Sequence, residues 1–277
     1  MDVDPTARLP RPFYDQWSRA RRPAAHALWD WHAALADPQP GERNGAEGGQ
    51  AAFFEAEQAR AEAGDPLHLV PAPVCRAAYD ACAEHGLDRS LLGVQAEAAR
   101  VLCAPTRFET ADALKRFVGR WAVPHGRLLA GLAGIELSSR LRYVDELARG
   151  FFHLGRLLRL PLDVRDDRLF VPVEALRRKG VSLAQLRTGA LDAEGKGLLW
   201  KESVRVRDGL AQGRPLMAAL SLRHRFALKR FWLGALELLD ALEERDYDLW
   251  DRPPTLSSFQ RVRVYLRTLF GRSVSGR

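Results

Sequence analysis

A chain of 277 residues with 47% apolar and 28% charged residues can bury a sizeable core in one large helical domain or two small ones, which excludes wholesale disorder. Its 42 Lys and Arg against 35 acids leave a net charge of +7, a balance suited to anionic partners such as a membrane surface, a diphosphate or nucleic acid. Cys75, Cys82 and Cys103 form no C-x-x-C pair, so neither a disulfide scaffold nor a zinc site is expected, and reduced thiols in a cytoplasmic setting are.

The opening MDVDPTARLPRP is acidic and then proline-broken, without the apolar core of a signal peptide, and residues 1–11 are expected to be flexible. Ala24 to Leu35 sets Ala27, Leu28, Trp31 and Leu35 on one face and predicts a first core helix. Asp37-Pro38-Gln39-Pro40 ends it, because prolines cannot continue a helix. A Gly-rich loop over 41–49, a helix over about 50–63 and a third helix from Pro71-Ala72-Pro73 to His85 follow. Ser90 to Cys103 and Ala111 to Gly134 predict two more, the second capped by Thr110. Leu137 to about Arg159 is amphipathic, with Leu147, Phe151, Leu154 and Leu158 on its apolar face. Val173 to Lys179 and a short helix near Leu183 lead into LRTGALDAEGKG, 186–197, expected to be flexible. Two long helices, about Leu198 to Gln212 and Pro215 to Arg245, precede Asp246-Tyr247-Asp248 and a basic terminal helix. The sequence has no run of alternating β-branched residues, no internal repeat and no separating linker. No stretch approaches the ~18 uninterrupted apolar residues of a membrane span. Residues 12–270 therefore predict a single all-α domain, followed by a flexible basic tail over 271–277.

The segment Val144 to Pro172, VDELARGFFHLGRLLRLPLDVRDDRLFVP, runs from the amphipathic helix through a charged turn to a hydrophobic landing at Leu169-Phe170-Val171-Pro172. It resembles the second signature helix of the squalene and phytoene synthases, N-x-x-R-D-x-x-E-D with a basic linker and an aromatic-aliphatic-Pro ending. In that register the family's Asn falls on Gly155, its Arg on Leu158, its first Asp on Arg159 and its Glu on Leu162. Only the last Asp is kept, as Asp163. Ala27 to Pro40 resembles the first family motif, A-L-Y-x-F-C-R-x-x-D-D-x-x-D, whose three acids fall on Ala36, Asp37 and Pro40. An acid ahead of the family's R-Y-x-T turn is replaced by Leu102, before Arg107-Phe108-Glu109-Thr110. Residues 213–250 resemble the closing helices, including their rhythm from Phe231 to Asp248. The resemblance spans about 12–270 and implies the all-α isoprenoid-synthase fold.

It also implies a transferase acting on prenyl diphosphates, with magnesium held by two aspartate-rich motifs across a helical cavity. The metal would neutralise the diphosphate leaving group as a carbocation forms. Most of those ligands are missing here. Arg159 puts a cation where a carboxylate belongs, and at ~4 Å two like unit charges repel by about 4 kcal/mol at an effective dielectric of about 20, roughly twice that for a divalent ion. The expectation is a member that has lost metal-dependent condensation and needs no cofactor. It would bind an isoprenoid or other lipid, or serve as an assembly or scaffold partner of another protein. The alternative is a divergent prenyl transferase or terpene-type enzyme whose magnesium site is relocated or absent.

The vestigial motif positions are Asp37 and Asp163. A register shift could recruit Asp163, Asp166 and Asp167 as replacement metal ligands; the other reading is a charged turn with its acids paired to Arg165 and Arg168. Arg159, helped by Arg107 and Arg120, could hold a diphosphate directly through planar guanidinium donors. The competing role for Arg159 is an ion pair with Asp163 at i+4. Phe151 and Phe152 add bulk where the cavity should be and either line a lipid-sized pocket or fill it. His32 and His153 lie near the two motifs, on helices expected to face each other, and read as core or rim histidines because nothing completes a metal shell. No G-x-S-x-G elbow, G-x-G-x-x-G or P-loop is present. From Arg261 the tail RVRVYLRTLFGRSVSGR mixes Arg with apolar residues at helical spacing. It could lie on an anionic membrane at its inner face, or pack as the last helix with Arg on the wet side. Nucleic acid is not an expected partner, since no reading module is recognisable.

Overall fold

The computed structural model describes residues 11–36, 70–103, 105–251 and 254–270. Asp37, the predicted loop over 41–49, the predicted helix over 50–63, residues 1–10 of the N-terminal segment expected to be flexible over 1–11, and the tail over 271–277 lie outside the described residues, whereas Arg11 opens the first helix. The rest is helical, as expected from the apolar periodicity: α1 Arg11–Tyr14, α2 Arg22–Ala36, α3 Ala72–Glu84, α4 Ser90–Ala99, α5 Ala111–Leu132, α6 Ser138–Leu158, α7 Leu160–Arg165, α8 Val173–Lys179, α9 Leu183–Thr188, α10 Ala193–Gly213, α11 Leu216–Ala219, α12 Leu222–Glu244 and α13 Ser258–Phe270. One two-residue parallel pairing, β1 Thr106–Arg107 with β2 Arg168–Leu169, joins the approach to α5 to the turn after α7. Two residues are too few to print a period in the sequence.

Local chemistry sets the helix ends. Thr110 Oγ1 accepts from the Ala113 amide at 3.2 Å and caps α5. Asp192 accepts from the Gly195 amide at 2.9 Å. That cap starts α10 at Ala193, so the expected flexible stretch over 186–197 is helical at its far end. Ser221 caps α12 and splits the expected continuous helix of 215–245 at Leu220, whose backbone is extended. The signature helix stops at Leu158, and Arg159 forms a joint (φ −96, ψ 1) before the short α7. Pro161 explains the joint, since it has no amide to continue the α6 ladder.

α6 and α10 approach through glycine. A Cβ on Gly213 would lie 2.3 Å from Leu147 Cγ and 2.8 Å from the Tyr143 carbonyl oxygen; one on Gly150 would lie 3.1 Å from the Leu210 nitrogen. Gly213→Ala is therefore expected to cost about 2 kcal/mol by forcing the two backbones apart, read as a lowered midpoint in urea unfolding with an unchanged slope.

The terminal helix packs on α12, one of the two arrangements expected of it, with its arginines exposed. Arg263 and Arg267 do not face water alone; both reach the buried Glu237 carboxylate of α12, the second at 2.9 Å. Val264 and Thr268 are buried, whereas Phe259, Val262, Leu266, Leu269 and Phe270 point outward. A buried carboxylate must be paired, and the two half-exposed guanidiniums at the edge of the helix supply that pairing to Glu237.

Candidate functional site

The helices enclose a cavity of about 130 Å³, room for roughly ten water-sized groups. Phe13, Tyr14 and Trp17 close it from the N-terminal side, α5 and α6 form two walls, and Leu216, Leu220 and the start of α12 form the rest. Small side chains leave the space. Ala122, Gly126 and Ala130 line it from α5, Ala148 from α6 and Ala227 from α12. A Cβ on Gly126 would come within 3.0 Å of Ala148 Cβ, so α5 and α6 nearly touch at the cavity floor.

One end of this apolar space carries a fixed polar network. Gln95 of α4 is completely buried. Its Oε1 accepts from Trp31 Nε1 at 3.0 Å, and its Nε2 donates to the Trp121 carbonyl at 2.8 Å and meets His32 Nδ1 at 2.7 Å. Because the indole can only donate and the carbonyl can only accept, the amide has one possible orientation. His32 Nδ1 is then an acceptor, and the ring proton of the neutral imidazole sits on Nε2. His32 stacks on His125 (centroids 4.3 Å) and Trp121 (4.7 Å), and His125 Nε2 shares a 2.7 Å hydrogen bond with the Tyr14 hydroxyl. Trp17 and His224 meet across another stretch of wall at 5.1 Å. Burial and the neighbouring Arg223 and Arg21 lower the His224 pKa, which favours its neutral form.

Phe151 lines the cavity while Phe152, only 3% exposed, also packs into an aromatic cluster with Phe117 at 6.1 Å and Phe170 at 5.8 Å. The two phenylalanines thus divide the alternatives: the cavity stays open, and Phe152 fills the space beside it. His32 faces His125 of α5, not His153. The latter lies among Arg149 and Arg205, and burial together with those cations pushes its pKa down to about 3.

The vestigial second motif is an ion-pair knot. Asp163 is 1% exposed. Arg156 Nη1 donates to its two oxygens at 3.1 and 3.3 Å, and Arg159 Nε donates to Oδ1 at 3.2 Å. The i+4 pairing of Arg159 with Asp163 is therefore present, with Arg156 as a second cation that the spacing argument missed. Arg156 also lies over the Phe170 ring at 4.3 Å. Arg107 stands half-exposed on β1, 3.8 Å from Asp167. Neither Arg107 nor Arg159 lines the cavity.

The aspartates of the turn do not converge as replacement ligands. Asp166 pairs with Arg165 at 3.7 Å, and Asp167 with Arg187 at 2.7 Å, not with Arg168. Among the described residues no group of three or more His, Cys, Asp or Glu side chains could hold a metal ion. Magnesium does not fit the described part of the second motif, because its remaining carboxylate is already held by two guanidiniums. Of the polar residues lining the cavity, Tyr14, Gln16, His125 and His224 carry no motif. Tyr14 and His125 lie 111 positions apart, and Gln95, which holds His32 from behind, lies 63 positions from it, so only the fold joins them.

The model of the squalene/phytoene synthase family matches residues 14–268. A chloroplastic phytoene synthase 3 of Zea mays is 26% identical over 217 residues, covering 75% of this chain and 50% of that protein; the chain spans about half the length of this curated relative. Among solved structures, a squalene synthase HpnC from Alicyclobacillus acidocaldarius superposes with a TM-score of 0.69 at 22% identity, covering 85% of this chain and 88% of that one. A dehydrosqualene synthase in complex with ligand gives a TM-score of 0.75 at 16% identity, covering 93% and 89%. At these identities the structural likeness establishes the shared all-α fold.

Proposed function

The chain belongs to the squalene/phytoene synthase family, and from that premise we propose that it holds an isoprenoid or similar apolar chain without carrying out metal-dependent prenyl transfer. The observation that supports this reading is the Arg156–Asp163–Arg159 knot. At the position of the family's metal-binding carboxylates, two cations surround the one acid that remains. A divalent ion approaching Asp163 would meet both guanidiniums and would have to break three hydrogen bonds. The second support is the open cavity, whose carbon-lined walls suit a branched hydrocarbon chain. His32, whose Nδ1 accepts from Gln95, and the Tyr14–His125 pair offer polar contacts at one end, with no Arg or Lys among the lining residues. That combination favours a neutral head group, such as an alcohol, over a diphosphate.

Incubation of the full chain with farnesyl or geranylgeranyl diphosphate and magnesium is expected to release no diphosphate and no new hydrocarbon into an organic extract. Farnesol is expected to quench the fluorescence of Trp17 and Trp121 equally with magnesium and with a chelator. Magnesium-dependent product formation would overturn the reading in favour of an active prenyl transferase. Farnesol failing to bind while the diphosphate binds would overturn the neutral-ligand assignment.

A further inference from the structure

Six of the ten large apolar side chains exposed among the described residues lie on one thirteen-residue helix, α13. Phe259 is 75% exposed, Phe270 77% and Val262 55%, and Tyr265, Leu266 and Leu269 are each just under half exposed. The spacing 259, 262, 266, 269 is the 3-4-3 rhythm of a single helical stripe. The stripe points away from the protein, because Val264 and Thr268 on the opposite side are the buried residues. It continues onto α12, where Phe226 meets Tyr265 at 6.0 Å and Leu222, one turn earlier, is 79% exposed.

The charge the two helices place around the stripe is predominantly basic. By helical position Arg261 borders it on one edge, and Arg263 and Arg267 on the other. α13 contains no acid. The adjoining start of α12, from Leu222 to Arg230, adds Arg223, Arg225, Lys229 and Arg230, also without an acid. Glu237 is buried beneath the helix and holds the arginine edge in place, and Asp240 and Glu244 of α12 also lie near Arg263.

We propose that the outward face of α13 seats on an anionic lipid bilayer. The apolar stripe enters the boundary between head groups and acyl chains, and the arginine borders lie at the level of the lipid phosphates. Charge decides among the occupants. A second copy docked stripe to stripe would set two surfaces of net positive charge against each other, and a neutral apolar groove would offer the basic surface no complementary charge. An anionic head-group layer satisfies both the stripe and its borders. The helix is held by its own ion pairs, so it arrives folded and loses little conformational entropy on binding.

The test is co-sedimentation of the full chain with vesicles of phosphatidylcholine alone or with 30% phosphatidylglycerol, run beside light scattering of the protein without lipid. The expected result is binding to the anionic vesicles, weakened by added salt, with a monomer in solution. V262E/L266E is expected to lower partitioning at least about tenfold. F259S/F270S changes the most exposed positions, which leaves the fold intact, and is expected to lower it about as much. Absence of binding to either vesicle, binding unchanged in both variants, or a dimer that both variants dissolve would each overturn the proposal, the last by making the face a contact between copies of this chain.

Discussion

Asp163→Ala is expected to destabilise the protein by about 3–5 kcal/mol, the largest single-site effect anticipated here. The carboxylate is 1% exposed, and Arg156, its main partner, is 5% exposed. Removing the acid strands a buried guanidinium over the Phe170 ring, where water cannot replace the lost oxygens. Burial raises the Asp163 pKa above the ordinary carboxylate value against the pull of Arg156 and Arg159, and it lowers that of Arg156. Desolvation thus consumes most of what attraction supplies, and the knot is costly to break yet adds little net stability. The paired replacement R156M/D163L is accordingly expected to cost less than D163A alone. Guanidinium unfolding of the wild type and the variants measures both. A double variant as unstable as D163A would show that packing, not the stranded charge, dominates.

Gln95→Leu is expected to cost about 3 kcal/mol, because it orphans the Trp31 indole N–H and removes the donor from His32 Nδ1 in one step, each loss costing about 1–3 kcal/mol when buried. Leucine nearly preserves the volume, so the loss is polar in origin. The same change frees the His32 ring to adopt its other tautomer. It should therefore weaken farnesol binding beyond the stability loss, as read by fluorescence titration at a temperature where the variant is fully folded. Gln95→Glu provides the contrast. It keeps an acceptor for Trp31 but loses the donor toward His32 and the Trp121 carbonyl, so it is expected to recover only part of the stability.

The helical plan is legible in the sequence wherever a helix is long and one-sided. Ala24 to Leu35 falls within the observed Arg22–Ala36, and Leu137 to Arg159 nearly coincides with Ser138–Leu158. The breaks at Arg159 and Leu220 are less legible, because Pro161 and Ser221 also occur inside or beside continuing helices. The Arg159–Asp163 pair is readable from i+4 spacing; Arg156, seven residues from Asp163, reaches it only because the chain bends at the joint. The polar end of the cavity is invisible to spacing. Gln95 is an unremarked residue in an alanine-rich helix until the fold places Trp31, His32 and Trp121 around it. The orientation of α13 is hidden for the same reason, since nothing local to Arg263 or Arg267 announces a buried glutamate on the preceding helix.

The wall that Phe13 and Trp17 contribute to the cavity has a consequence for how the protein is made. Phe13 meets Phe231 at 5.1 Å and Trp17 meets His224 at 5.1 Å, contacts between residues roughly 210–220 positions apart. At ordinary translation rates of about 5–20 residues per second, the first aromatic residues leave the ribosome about 10–40 s before their partners exist. For that interval Phe13, Tyr14 and Trp17 lack the surface contributed by α12. Cavity closure consequently waits for α12 and requires a loop closure of roughly 210–220 residues. A nascent chain halted before α12 would present these rings to chaperones instead of to a ligand.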